Sequence, residues 1–311
     1  MLPFTPGLVV RPLRVEELSA ATALLNATLR KAQYSAPMDE QMAETHLLAP
    51  SPPALYPVRW QQHTLLGAWR AGDLVGLLDA AIGQDRDSAA LPDYHPLGLL
   101  RFLVLPARED LVNDCAQLLL SAATDFWRAG GVGHVKAFHI STGYPCFQAG
   151  AGLLPGDWAA HVRVLMAAGF HFTDRYYCLA RPLDALIEEA VPQGSLSVAF
   201  RGPATDRRYQ IFFRRTELIA EARLVQFEAG HSDEVQHIGY VAHWEVDERW
   251  RNQKVGRWLL RRLINDGSQQ GLAQLVLHLQ LQQAAAMNLL AQHGFVELNY
   301  RGYTLEMGLA A

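Results

Sequence analysis

The sequence predicts an α/β protein, of the α+β kind, built as two copies of one plan in tandem. Two stretches share a layout of strand, polar turn and strand: Ala68-Trp69-Arg70-Ala71-Gly72-Asp73-Leu74-Val75-Gly76 and Phe212-Phe213-Arg214-Arg215-Thr216-Glu217-Leu218-Ile219-Ala220. Farther on, Ala168-Gly169-Phe170 before Tyr176-Tyr177 matches His293-Gly294-Phe295 before Tyr300 and Tyr303, in the same order. With 311 residues, 50% of them hydrophobic and 19% charged, the chain is long and apolar enough for two cores.

In the first copy, Leu8-Val9-Val10-Arg11-Pro12-Leu13 reads as a strand and polar turn. Leu18, Ala21, Leu24 and Leu25 have helical spacing, and a second helix is expected near residues 39–48. The run Leu99-Leu100-Arg101-Phe102-Leu103-Val104-Leu105 is nearly all apolar, which marks a buried strand. Gly130-Gly131-Val132-Gly133 follows a helix and precedes a strand, the reverse of a dinucleotide-binding turn, and reads as a helix stop. The glycine- and proline-rich segment 143–158 reads as a packing loop. The second copy is expected to open with one short helix at 184–190, stopped by Pro192-Gln193-Gly194, and a strand at 195–200. The domains are therefore placed at 1–182 and 183–311.

The most specific local signal lies at 246–260, where a strand end, a basic turn and an amphipathic helix follow one another. A helix start leaves backbone N–H groups unpaired and carries about half a positive charge, so a turn entering it can hold a phosphate. Gly256 admits close backbone approach, and Arg251, Lys254 and Arg257 add charge. Lys31, Lys136 and Lys254 are the only lysines. The matching turn of the first copy, Ala107-Arg108-Glu109-Asp110-Leu111-Val112-Asn113-Asp114-Cys115, has no glycine and puts three carboxylates where an anion would sit. The first copy is expected to have lost that function.

The turn resembles the acetyl-CoA pyrophosphate arm of the GNAT N-acetyltransferase superfamily, which runs Arg/Gln-x-x-Gly-x-Gly/Ala into a Leu-Leu helix. Arg251 and Gly256 match it, and Lys254 takes the place of its first glycine. Downstream, Leu275-Val276-Leu277-His278-Leu279 reads as a strand, and Gln283, Ala286, Leu289, Leu290 and Gly294-Phe295 follow the family's next helix and turn. Gln283 replaces the family's Asn, and Leu290 replaces the Tyr that in relatives protonates the departing thiolate. The two copies make this a tandem chain, similar in plan to the mycothiol synthase family. The resemblance implies that each copy is a mixed, mostly antiparallel central sheet flanked by helices. It also implies acetyl-CoA held by Val246, Arg251, Asn252, Gln253, Lys254, Val255, Gly256, Arg257, Gln283 and Ala286.

By the same resemblance, the protein is expected to transfer an acetyl group to the amine of a small molecule by direct attack in a ternary complex. The thioester would meet a β-bulge in the strand at 237–246. Glu245 and His243 have the chemistry of a base and Tyr240 that of an acid. Alternation puts Tyr240 and Trp244 on one face and His243 and Glu245 on the other, but a bulge exchanges faces, so both sets stay open. A cross-strand ion pair or a packed ring explains the same residues. The rival expectation is a catalytically silent CoA-binding or sensory module, motivated by Leu290 and Lys254.

A formal net charge of −4 argues against nucleic-acid binding. Cys115, Cys146 and Cys178 are too widely spaced for a zinc knuckle, and the histidines show no metal-ligand spacing, so no metal is expected. No apolar run approaches a membrane span, and the first seven residues lack the form of a signal peptide. These features predict a cytoplasmic protein without nucleic acid or membrane; the resemblance implies a small amine as partner, for a monomer or homodimer.

Overall fold

The repeat in the sequence is also a repeat of strand order and register. The computed structural model describes residues 7–192, 194–230 and 235–309; Gln193 of the expected helix stop and residues 1–6 lie outside this range. The first copy contains β1 (Leu8–Pro12), α1 (Leu18–Leu29), α2 (Glu40–Ala43), β2 (Val58–Arg70), β3 (Asp73–Asp85), β4 (Leu97–Val104), α3 (Glu109–Ala129), β5 (His134–Ala137), β6 (Leu154–Pro155), α4 (Ala159–Ala167) and β7 (His171–Pro182). The second contains β8 (Leu196–Arg201), β9 (Asp206–Phe213), β10 (Glu217–Ala229), β11 (Gln236–Val246), α5 (Val255–Gln269), β12 (Gln274–Gln280), α6 (Ala284–Ala291) and β13 (Val296–Gly308).

These elements pack as two units, one of Met1–Arg175 with Arg301–Ala311 and one of Tyr176–Tyr300. The units do not coincide with the expected division at 182/183. The end of β13 belongs to the first unit because Leu305 and Glu306 pair with Ala137 and Lys136 on β5, and Leu305 and Met307 enter the first unit's core. Within that unit β1 to β4 are successively antiparallel and β4 and β5 are parallel. Within the second unit β8 to β11 are antiparallel, β11 and β12 are parallel, and β12 pairs antiparallel with β7 from Tyr176 onward. Both sheets are mixed and mostly antiparallel.

Local chemistry explains most elements. Leu18, Ala21, Leu25 and Leu29 form the buried stripe of α1, and all eight residues of β4 are buried. The β9–β10 hairpin turns at Arg214 and Arg215, both with positive φ (49° and 65°), as a tight two-residue turn requires. The expected helix at 184–190 does not form. Asn265 on α5 receives the Ile187 N–H at 2.8 Å and donates to the Ile187 carbonyl at 2.8 Å, and Arg261 donates to the Glu188 carbonyl at 3.0 Å. Side chains of α5 thus take the hydrogen bonds that a helix would have made internally. The 143–158 loop packs as expected, with Tyr144, Phe147, Leu153 and Leu154 buried.

A buried ion pair between β3 and β5 anchors the first unit. Lys136 on β5 donates to Asp85 at the end of β3 at 2.7 Å, with both side chains at most 5% exposed. Burial works against the Asp85 carboxylate, yet the Lys136 and Ser141 hydrogen bonds hold its pKa down to about 2. Asp85, Asp87 and His139 lie close enough together to share an ion, but Lys136 already meets the charge of Asp85. Lys136→Met leaves that charge buried and uncompensated, and is expected to lower unfolding free energy by about 3–5 kcal/mol in urea titration. Because folding depresses the Asp85 pKa, its contribution is complete above about pH 4. It is lost as the pH falls through about 2.

Candidate active site

β11 and β12 are hydrogen-bonded neighbours only from Ile238↔Gln274 to Tyr240↔Val276. Beyond that point β11 carries a bulge: Arg223 faces His243 and Leu224 faces Val241, so the register shifts by one residue at Ala242. The parting strands line a cavity of about 200 Å³, walled by Val241, Ala242, His243 and Trp244 on one side and Leu277, His278, Leu279 and Gln280 on the other. Tyr176 and Gln283 complete it. Among the described residues, no Asp, Glu, Lys or Arg lines this cleft.

The basic turn lies at the end of β11. Asp247 accepts the Arg249 N–H at 2.9 Å and caps a single 3₁₀ turn, Glu248–Trp250. Arg251, Asn252, Gln253 and Lys254 are exposed. Asn252 and Lys254 hold positive φ (64° and 65°), so the conformation a glycine would favour is here imposed on a lysine. Lys254 caps α5 without any side-chain hydrogen bond to the helix, and among the described residues it makes no ion pair. It is an available cation at a helix N-terminus.

Several of the expected binding residues have other tasks. Val255 is 1% exposed, so only its backbone can face an anion. A Cβ on Gly256 would stand 3.3 Å from Val246 Cγ2, so this glycine is also a close contact between α5 and β11. Arg251 donates to the Val246 carbonyl at 3.3 Å, Gln253 to the Arg249 carbonyl at 2.9 Å, and Arg257 to Gln292 at 3.1 Å. Of the wider basic cluster, Arg261 and Arg262 hold residues 188 and 189 and do not serve the turn. Gln283 caps α6 and lines the cleft, while Ala286 packs against the second core. Leu290 is fully buried there, so no acid stands at that position.

At the bulge the cleft takes in residues of both sets that alternation separated, His243 from one and Trp244 from the other. His243 lines the cleft, with Glu245 beside it at 3.6 Å and outside the lining; their side chains are 34% and 65% exposed. Tyr240 is buried, its hydroxyl 3.1 Å from His278 Nδ1. Sequence reasoning passed over His278, which reads as one more strand residue until Tyr240 and Tyr300 are seen on its two ring nitrogens. Trp244 lines the cleft with its buried Nε1–H unpaired among the described residues. An unpaired cation, a helix N-terminus and an unsatisfied indole N–H together suit a ligand with phosphates at one end and acceptors at the other.

The first unit carries the same frame, filled. Asp79 faces Phe102 and Ala80 faces Leu100, so Arg101 is its bulged residue and the counterpart of Ala242. The Arg101 guanidinium is buried, 3.1 Å from Asp79 Oδ2, and lies over the rings of Trp60 and Tyr144. Counting from each bulge, Phe102 and Phe138 stand where the second unit has His243 and His278. Their rings are 5.8 Å apart, and Tyr144 and Phe147 pack on Phe102 at 4.6 and 5.0 Å. Glu109 and Asp110 begin α3, and Arg108 bridges to Asp110.

Residues 183–295 match the model of the acetyltransferase (GNAT) family. No curated protein matches the chain. The fold is similar to a GCN5-related glucosamine N-acetyltransferase region of a fungal multi-domain GH3 beta-N-acetylglucosaminidase, at 14% identity and TM-score 0.69. That match takes in 99% of this chain but only 38% of the fungal protein. A tandem GNAT protein from the clavulanic acid biosynthesis pathway aligns at 14% identity and TM-score 0.68, over 98% of this chain and 99% of that one. A GCN5-related N-acetyltransferase from Sphaerobacter thermophilus aligns at 11% identity and TM-score 0.63, over 98% and 97%. These likenesses establish a two-copy GNAT fold. Among the described residues no helix is long and apolar enough to cross a membrane.

Proposed function

Since residues 183–295 belong to the acetyltransferase (GNAT) family within a tandem GNAT fold, we propose that the second unit is an acetyl-CoA-dependent N-acyltransferase for a small-molecule amine. The observation that carries this reading is the cleft at the Ala242 bulge, which opens beside the basic turn and the α5 N-terminus. The α5 backbone N–H groups, Lys254 and Arg251 would hold the pyrophosphate, and the cleft would take the acyl arm. Bound there, acetyl-CoA supplies an activated acyl carbon that an amine can attack directly.

His243 is the base in this reading, acting directly or through a water, and Glu245 orients its ring. A cleft wall without carboxylate or ammonium groups receives the amine in its neutral, nucleophilic form. The fungal relative's region is described as a glucosamine N-acetyltransferase, so amino sugars head the panel of acceptors to be tried. The second reading, a silent CoA-binding module, is favoured by the apolar, buried Leu290.

Calorimetry with acetyl-CoA, followed by thiol release across the amine panel, tests both. Binding with turnover is expected; binding without turnover selects the silent module, and absence of binding overturns both readings. His243→Gln is expected to lower kcat by about 10²-fold or more while leaving acetyl-CoA affinity within threefold.

A further inference from the structure

Tyr240, His278 and Tyr300 form a hydrogen-bonded chain: the Tyr240 hydroxyl lies 3.1 Å from His278 Nδ1, and the Tyr300 hydroxyl 3.1 Å from His278 Nε2. His278 lines the cleft and Tyr240 is separated from the Ala242 bulge by one residue. Tyr240 is 1% exposed, whereas Tyr300 is part-exposed and forms the outer end. Burial pushes the His278 pKa down to about 3, so the ring is neutral wherever an amine is nucleophilic. Beside Tyr300, Cys178 remains a thiol, since burial raises its pKa to about 12.

A neutral imidazole has one N–H and one lone pair, so it accepts from one tyrosine while donating to the other. Moving one proton onto the ring and one off the far side exchanges its tautomers without creating a buried imidazolium. We propose that Tyr240, His278 and Tyr300 are a neutral proton relay that protonates the leaving thiolate, with Tyr240 as the delivering end. This rests on the acyltransferase reading of the cleft. In aminolysis the amine nitrogen bonds to the acyl carbon and the carbon–sulfur bond breaks, its electron pair leaving on sulfur. Tyr240 gives its hydroxyl proton to that sulfur and regains one from His278 Nδ1–H. His278 takes a proton at Nε2 from Tyr300, which is reprotonated from solvent. The proton shed by the amine leaves through the base, so the balance closes. The relay supplies the acid that the buried Leu290 cannot.

Tyr240→Phe and His278→Gln are expected to lower kcat by about 10²–10³-fold with the Kd for acetyl-CoA unchanged within threefold. Tyr300→Phe, which removes a single part-exposed hydroxyl, is expected to lower it by about tenfold and serves if His278→Gln does not fold. An acetyl thioester of an acidic thiophenol, whose thiolate needs no proton, is expected to restore most of the lost rate; a deficit that is the same for both donors makes these residues structural and overturns the relay. Nitrogen-15 NMR of the wild-type protein should show His278 neutral from pH 5 to 9, and titration in that range also overturns it. Absence of acetyl-CoA binding by the wild type overturns the acyltransferase reading and the relay together. Full activity in all three variants overturns the relay alone.

Discussion

Lys254→Glu is expected to raise the Kd for acetyl-CoA about a hundredfold by calorimetry. Lys254 makes no ion pair or side-chain hydrogen bond among the described residues, and it stands at the first backbone N–H groups of α5. A charge-assisted hydrogen bond to a phosphate contributes about 1.5–3 kcal/mol, and a carboxylate there adds repulsion where the dipole favours an anion. A loss of about 2.7 kcal/mol corresponds to the hundredfold change. Lys254→Gly separates charge from backbone: it removes the cation but suits the positive φ of 65°. It is expected to weaken binding by about tenfold while raising unfolding free energy by about 1 kcal/mol, because the left-handed conformation then costs no Cβ strain. If neither variant changes affinity, the anion site is misplaced.

Phe102→Ala is expected to lower unfolding free energy by about 3–5 kcal/mol in urea titration and to leave acetyl-CoA affinity within twofold. Phe102 is 1% exposed and touches Phe138, Tyr144, Phe147 and Trp158, so truncation opens a cavity that several rigid rings cannot close. The counterpart of this residue in the second unit is His243, which faces an open cleft. Stability and ligand binding are thus expected to separate between the copies. A marked loss of acetyl-CoA affinity in folded Phe102→Ala protein would show that the first unit takes part in binding.

Much of this was legible in the residues themselves. Alternating and helical spacings located many of the strands and helices, though not α4, β6, β7 or β13, because the period of apolar residues follows directly from backbone geometry. The acidic turn after Pro106 and the basic turn after Val246 set the two copies apart, since charge is visible without coordinates. The segment 184–190 misled because its spacing allows a helix, whereas Asn265 and Arg261, about 75 positions away, supply the backbone partners that make it extended. The compact units depart from the division at 182/183 for a similar reason: the end of β13 finds its partner on β5, far back in the sequence.

By itself, then, the sequence determined the two-copy plan and set a basic turn in the second copy against an acidic one in the first, all properties of local pattern and charge. Only the tertiary structure brought His243 and Trp244, from opposite sets of β11, to one cleft, because a one-residue bulge at Ala242 exchanges the two sides of a strand. It alone showed Gly256 to be also a packing contact, joined Tyr240, His278 and Tyr300 into one chain, and set Phe102 and Phe138 where the second unit holds two histidines. These are facts of register between strands distant in sequence, and no single segment carries them.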